Sequence, residues 1–271
     1  DFLYLLLPVW QVELGLSLTQ VGIIRTLYSG ALASTQIPIG LLSERLGERR
    51  LLGLGTALTG GAYFALGMAE SLAALVMFLL IAGTGSGTQH PLCSSLVAKA
   101  YEGGPQRVAL GFYNFAGDIG KMLVPLLAAL VITQLNWQSS TIGYGAVGIL
   151  AAVLVLYFLT KAGAGAPTTI QRSLKSPSGR DWGIRNPRSF CILAFIGVLD
   201  SASRTAFLTF LPFLFIDKGA SVEIIGLALA LVFGGGAAGK FICGLIAERF
   251  GIMHTVILTE LITCAGILLI I

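Results

Sequence analysis

The stretch Gly40–Arg50, GLLSERLGERR, decides how this chain folds. From Thr26 to Ser43 there is no acidic or basic residue; then Glu44, Arg45, Glu48, Arg49 and Arg50 arrive within seven residues. A long apolar run that ends in a dense, mixed cluster reads as a membrane segment reaching water. The pattern returns 204 residues later as GLIAERFG, Gly244–Gly251.

Composition agrees with a membrane solvent. The 271 residues are 55% hydrophobic and 11% charged, against about 25% charged in soluble domains. A soluble globule has too little interior to hide that much apolar surface, so the formal charge of +4 is no nucleic-acid signal. The four cysteines, Cys93, Cys191, Cys243 and Cys264, lie in apolar runs without CxxC spacing and read as small hydrophobes. The chain starts and stops in mid-pattern and is expected to be a fragment of a longer protein.

A spanning helix needs about 20 mostly apolar residues, which predicts nine spans: a remnant at 1–12, then 20–43, 50–69, 71–98, 107–133, 138–160, 189–216, 222–247 and 254–271. All are helical, because lipid leaves open backbone groups unsatisfied. Loops after the even spans hold twelve lysines and arginines, and the other loops hold one, Lys218. The positive-inside rule places the even loops in the cytoplasm of a multi-pass protein in the inner (plasma) membrane. Residues 161–188, with three prolines, six basic residues and one acid, read as a cytoplasmic linker or an anionic-lipid segment. The domains are then a bundle at 1–160, the linker at 161–188 and an incomplete second bundle at 189–271.

A shift of 204 residues aligns Ser17 with Ser221, Gly22 with Gly226, Gly30 with Gly234, Ala33 with Ala237, Gly40 with Gly244, Glu44 with Glu248, Arg45 with Arg249 and Gly47 with Gly251, without a gap. Two parallel halves six spans apart is a transporter plan. On these residues the chain resembles the major facilitator superfamily, whose loop motif is a glycine, apolar or small residues, Asp-Arg, a glycine and a basic pair. Glu44 and Glu248 stand where that family carries aspartate. The resemblance implies an all-α integral membrane fold of two six-helix bundles, here truncated to about nine spans. It also implies a conformational latch at Gly40, Glu44, Arg45, Gly47, Gly244, Glu248, Arg249 and Gly251, closing the cytoplasmic side. The alternative is that Arg45, Arg49 and Arg50 are topology charges only. Gly40 is expected to let another helix approach closely.

Within the superfamily, DFLYLLLP, GTGSGTQHPLCSSLVA, GDIGKMLVPLLAALV and TFLPFLFIDKGAS resemble fosmidomycin-resistance-type efflux proteins. Antiporter members carry G-x8-G-x3-G-P-x2-G-G. Gly111, Gly120 and Pro125 match it, while Val124, Ala128 and Ala129 replace its other glycines; small-residue packing explains the pattern nearly as well.

Ionisable groups near the bilayer centre cost about 2.5–3.5 kcal/mol on insertion scales and usually mark function. At 1.5 Å per residue, Asp118 lies about 17 Å into its span, Asp200 about 16 Å and Asp1 about 15 Å. Asp118 with Lys121, and Asp200 with Arg204, have the spacing of same-face pairs. Either they are self-neutralised ions, or with Asp1 and His90 they form a substrate and proton cavity. In the second case a proton on the carboxylate weakens its pair and frees the cation for an anionic substrate. His90 precedes Pro91 and reads equally as a structural hydrogen-bonder. Arg25 reads as a residue snorkelling to the interface, and Lys240 and Glu260 as part of the latch region. GTGSG, Gly83–Gly87, lacks a preceding strand and the full nucleotide-loop spacing, and reads as close helix packing.

No clustered catalytic set, metal site, cofactor motif or Walker motif is legible, so the chain reads as a non-enzyme driven by an ion gradient, with protons as coupling ion. The expected activity is efflux of a small polar or anionic compound by alternating access, by a monomer in lipid without nucleic-acid partners. The alternatives are proton-coupled uptake of an organic anion or nutrient, and a non-transporting sensor or scaffold.

Overall fold

The computed structural model describes residues 2–166 and 186–270, with backbone alone at Arg107, Phe241, Gly244, Leu245, Ala247, Glu248, Ile252 and Ile270. Ten helices and no strand occur among the described residues: α1 (Phe2–Leu14), α2 (Leu18–Leu46), α3 (Glu48–Leu66), α4 (Leu72–Ser86), α5 (Gln89–Ala100), α6 (Gln106–Gln134), α7 (Trp137–Lys161), α8 (Pro187–Asp217), α9 (Val222–Phe250) and α10 (Ile252–Ile270). Most of the segment read as a linker lies outside the described residues, as does Asp1. By length and hydropathy, Leu72–Ala100, Val108–Gln134, Trp137–Lys161, Pro187–Asp217 and Val222–Lys240 each suffice to cross a membrane. One face of the molecule carries the α1–α2, α3–α4, α6–α7 and α8–α9 connections, and is called the odd-loop face. The other is the even-loop face.

Helix starts follow local chemistry. Ser17 and Gln20 form a capping box: the Ser17 hydroxyl accepts from Gln20 N at 3.2 Å, and Ser17 N donates to Gln20 Oε1 at 2.8 Å. Asn136 caps α7 by accepting from Ser139 N at 2.7 Å, and Asn186 caps α8, which has Pro187 in its first turn. Gly47, at φ 84°, separates α2 from α3, and Gly251, at φ 83°, separates α9 from α10. Only glycine adopts that region freely. The internal repeat thus survives in three dimensions: Leu18 and Val222, Leu46 and Phe250, and Glu48 and Ile252 are each 204 residues apart.

One expected element differs. The span at 71–98 is two helices, α4 and α5, with Gly87 and Thr88 between them. Pro91 in the first turn of α5 has no N–H to return to the Gly87 carbonyl, so the ladder breaks there. The glycines before the break carry close packing. A Cβ on Gly83 would lie 2.6 Å from the Tyr28 carbonyl, on Gly85 2.6 Å from the Gly55 carbonyl, and on Gly87 2.5 Å from the Leu32 carbonyl. Helix α4 therefore sits backbone to backbone on α2 and α3, as expected of GTGSG. The largest helix–helix contact, α3 with α7, has the same basis. A Cβ on Gly60 would fall 2.6 Å from Ile149 N and 2.7 Å from the Gly148 carbonyl carbon. Small residues give this approach where lipid removes the hydrophobic drive.

Helix α1 lies at the centre, with Phe2 to Leu7 and Trp10 buried. Trp10 meets Trp137 edge-on at 5.7 Å, and Phe2 stacks on Tyr144 at 4.6 Å. Around it pack α2, α6, α8 and α9. On the even-loop face the buried Glu48 carboxylate accepts from Lys99 Nζ at 2.9 Å and from the Ser95 hydroxyl, and Arg49 N donates to the Gly165 carbonyl at 3.0 Å. The Lys99 side chain is 61% exposed and that of Glu48 5%, so the carboxylate is the vulnerable partner. Lys99→Met is expected to lower stability by about 1–3 kcal/mol, the cost of leaving a buried acceptor short of a donor. Thermal unfolding of the purified variant measures it.

Candidate functional site

Helices α6 and α9 run antiparallel and meet along a seam. Gly226 faces Ala129, the Pro125 carbonyl lies 3.1 Å from a Cβ built on Gly226, and Met122 Sδ lies 3.2 Å from one built on Gly234. Asp118, Met122, Pro125 and Ala129 recur at spacings of four and three, one face of α6. Gly226, Phe233 and Lys240 recur every seven residues on α9. The seam is apolar and tight toward the odd-loop face and ends on an ion cluster. Lys240 Nζ donates to Asp118 Oδ2 at 2.6 Å and Oδ1 at 2.8 Å, and Lys121 Nζ donates to Asp118 Oδ1 at 3.2 Å. Asp118 is buried. One carboxylate thus holds two ammonium groups, one from its own helix and one from α9. His90, on α5, is exposed and within the electrostatic reach of Lys121; no hydrogen bond to another described residue fixes its ring.

Lys240, read from the sequence with the latch region, pairs with Asp118 because the α6–α9 register sets the two opposite each other. The sequence signal was its place on the stripe with Gly226 and Phe233. The antiporter-type positions divide as well. Ala129 packs against α9, whereas a Cβ on Gly111 or Gly120 would meet nothing within 4 Å among the described residues.

On α8, Arg204 Nη2 donates to Asp200 Oδ2 at 2.6 Å, and both side chains are exposed. Asp200, Arg204, Leu208 and Leu211 share one stripe by spacing. Leu208 and Leu211 are buried, and α8 packs chiefly on α1. The ion pair therefore continues, toward the even-loop face, the surface through which α8 meets α1. The structure brings Lys240 to Asp118, and among the described residues Asp200 pairs with Arg204 alone.

Arg25 does not snorkel. Its Nη2 donates to Tyr4 Oη at 2.6 Å, and its guanidinium lies 4.5 Å from the Tyr4 ring centroid and 5.6 Å from that of Tyr28. Tyr28 Oη donates to Ser86 Oγ at 3.3 Å, and Ser86 Oγ is 3.4 Å from Thr59 Oγ1.

Glu44 and Arg45 are exposed, and neither has an ion pair among the described residues. Arg249 is exposed beside the Phe250 ring at 6.0 Å. A Cβ on Gly40 would meet nothing within 4 Å among the described residues. The side chains of Gly244 and Glu248 lie outside the described residues. Glu260 is exposed on α10. The acid of the motif that does pair is Glu48, to which the sequence pattern assigns no role.

The sequence profile of the Major Facilitator Superfamily matches residues 1–271. The chain belongs to that superfamily. This facilitator is 26% identical to the Fosmidomycin resistance protein of Escherichia coli K12 over 251 residues, covering 90% of this chain and 60% of that protein. It is equally identical to the Probable L-galactonate transporter of the same organism, over 87% of this chain and 55% of that one. The chain thus spans a little over half the length of these relatives. Among solved structures, a bacterial homologue of the human lysosomal transporter Spinster, inward-facing and occupied, superposes with a TM-score of 0.71 at 18% identity, over 92% of this chain and 57% of the other. The fold is therefore the all-helical, membrane-embedded facilitator fold.

Proposed function

We propose that this facilitator exports a small polar or anionic compound in exchange for protons, by alternating access. The observation that carries the reading is Asp118, buried and shared by Lys121 of α6 and Lys240 of α9. Charged, the carboxylate ties α6 to α9. A proton arriving on it removes the one negative charge between two ammonium groups, and their mutual repulsion opens the seam. The parts that move are a bundle at 1–160 and a second at 189–271, joined by 161–188, with the even-loop face in the cytoplasm of a plasma membrane and a monomer as the working unit. Glu44, Arg45, Glu248 and Arg249 form the latch of the opposite state, with Gly47 and Gly251 turning the chain beside them.

The charge balance favours anions. Well inside α2, α6, α8 and α9, the cations Arg25, Lys121, Arg204 and Lys240 outnumber the carboxylates Asp118 and Asp200. Export is supported by relatives named for resistance: the fosmidomycin protein, and the Tetracenomycin C resistance and export protein of Streptomyces glaucescens, 28% identical over 58% of this chain. Uptake of an organic anion is the second reading, supported by the L-galactonate relative. Deletion of the gene in a host lacking other efflux systems separates the two. Export predicts sensitivity to a toxic compound, and uptake predicts loss of growth on an acid. Within the intact protein, Lys240→Met is expected to weaken pH-gradient-driven transport about tenfold, since removing about 1.4 kcal/mol of cross-seam attraction changes the population ratio of the states by that factor. Transport into proteoliposomes at graded pH measures it, and an unchanged rate would overturn the coupling role.

A further inference from the structure

We propose that Arg25, seated between Tyr4 and Tyr28, docks the oxyanion group of the transported compound. The inference rests on the transporter reading and adds to it a residue and a ligand chemistry. Of the four cations inside these helices, Lys121, Lys240 and Arg204 each hold a carboxylate. Arg25 holds none among the described residues. One of its five donors is used, by the neutral Tyr4 hydroxyl, and its Nε is buried without a hydrogen-bond partner. A cation about 10 Å from the start of its helix meets aromatic faces there in place of a counter-charge. The Tyr4 and Tyr28 rings stabilise it through their quadrupoles, and the N–H groups of Nη1 with the second N–H of Nη2, bonded to no described residue, are left to bind two oxygens of one ligand group. The residue as a whole is only partly buried.

The surroundings extend the site. Tyr28, Ser86 and Thr59 supply a chain of hydroxyls across α2, α4 and α3, suited to the hydroxyl groups of a polar anion. The Tyr4 ring also lies 6.4 Å from the Phe233 ring of α9, so an anion held at Arg25 sits beside the helix that carries Lys240. The ligand class is a small carboxylate, sulfonate or phosphonate, recognised by its planar or tripodal oxygens.

Equilibrium binding to the purified intact protein tests this, at fixed ionic strength and pH, with gluconate, isethionate and methylphosphonate as probes and glucose as the neutral control. At least one oxyanion is expected to raise the unfolding temperature saturably, while glucose does not. Arg25→Gln is expected to weaken that anion by about thirtyfold or more, as truncating one side of a buried charge pair does. Arg25→Lys, which keeps the charge and loses the fork, is expected to fall between the two. If Arg25→Gln does not fold, Arg25→Lys and Tyr4→Phe decide: unchanged affinity in both overturns the assignment. So does binding to Arg25→Gln at the wild-type level, or no saturable oxyanion binding to the wild type. No pH gradient is present, so these outcomes are independent of whether transport is proton-coupled.

Discussion

Asp118→Asn in the intact protein is expected to abolish uphill transport while leaving downhill exchange. With one proton per cycle, a gradient of one pH unit supports about a tenfold concentration ratio, since 1.36 kcal/mol is worth a factor of ten. Asparagine keeps the shape of the side chain and one acceptor oxygen but cannot take up and release the proton. The accumulation ratio should therefore fall to about one at any imposed gradient. Lys121 and Lys240 are then left facing each other without a carboxylate between them, which favours the parted seam. Reconstituted protein, with internal and external pH set independently, reads the ratio directly. Accumulation by the variant at the wild-type level would remove Asp118 from the proton path and the coupling scheme with it.

The second large effect is expected at Gly60. A side chain there has no direction in which to escape, because the atoms it meets are the backbone nitrogen of Ile149 and the carbonyl carbon of Gly148, not the ends of flexible side chains. Overpacking costs about 1–3 kcal/mol where neighbours can yield, and more where they cannot. Gly60→Leu is therefore expected to reduce the folded yield by about tenfold or more. Gly61 is the control: a Cβ there meets nothing within 4 Å, and Gly61→Leu should be recovered like the wild type. The measurement is the monodisperse fraction in size-exclusion chromatography. Equal yields from the two variants would show that α3 and α7 are not held by backbone contact.

Features set by local spacing are legible in the amino-acid sequence alone. The apolar run lengths place the helices to within a few residues, and the 204-residue shift relates α2 to α9 bound for bound. Asp118–Lys121 and Asp200–Arg204 follow from helix geometry. What is not legible depends on how distant helices register. Lys240 is 122 residues from Asp118, and only the antiparallel seam makes them neighbours. Arg25 is 21 residues from Tyr4, and its placement needs α1 at the centre of the molecule. Glu48 looks like one charge among five, yet its burial follows from α5 covering the start of α3. The break at Gly87 carries a warning in Pro91, but hydropathy counts through it because every residue from Leu72 to Ser86 suits lipid.

The bare contact between α3 and α7 has a mechanical consequence. Where two main chains touch directly, as at Gly60, a load on one helix passes to the other with little slack. The bond from Arg49 N to the Gly165 carbonyl extends that rigid path to the exit of α7. A displacement of α3 would therefore be passed on to the end of α7.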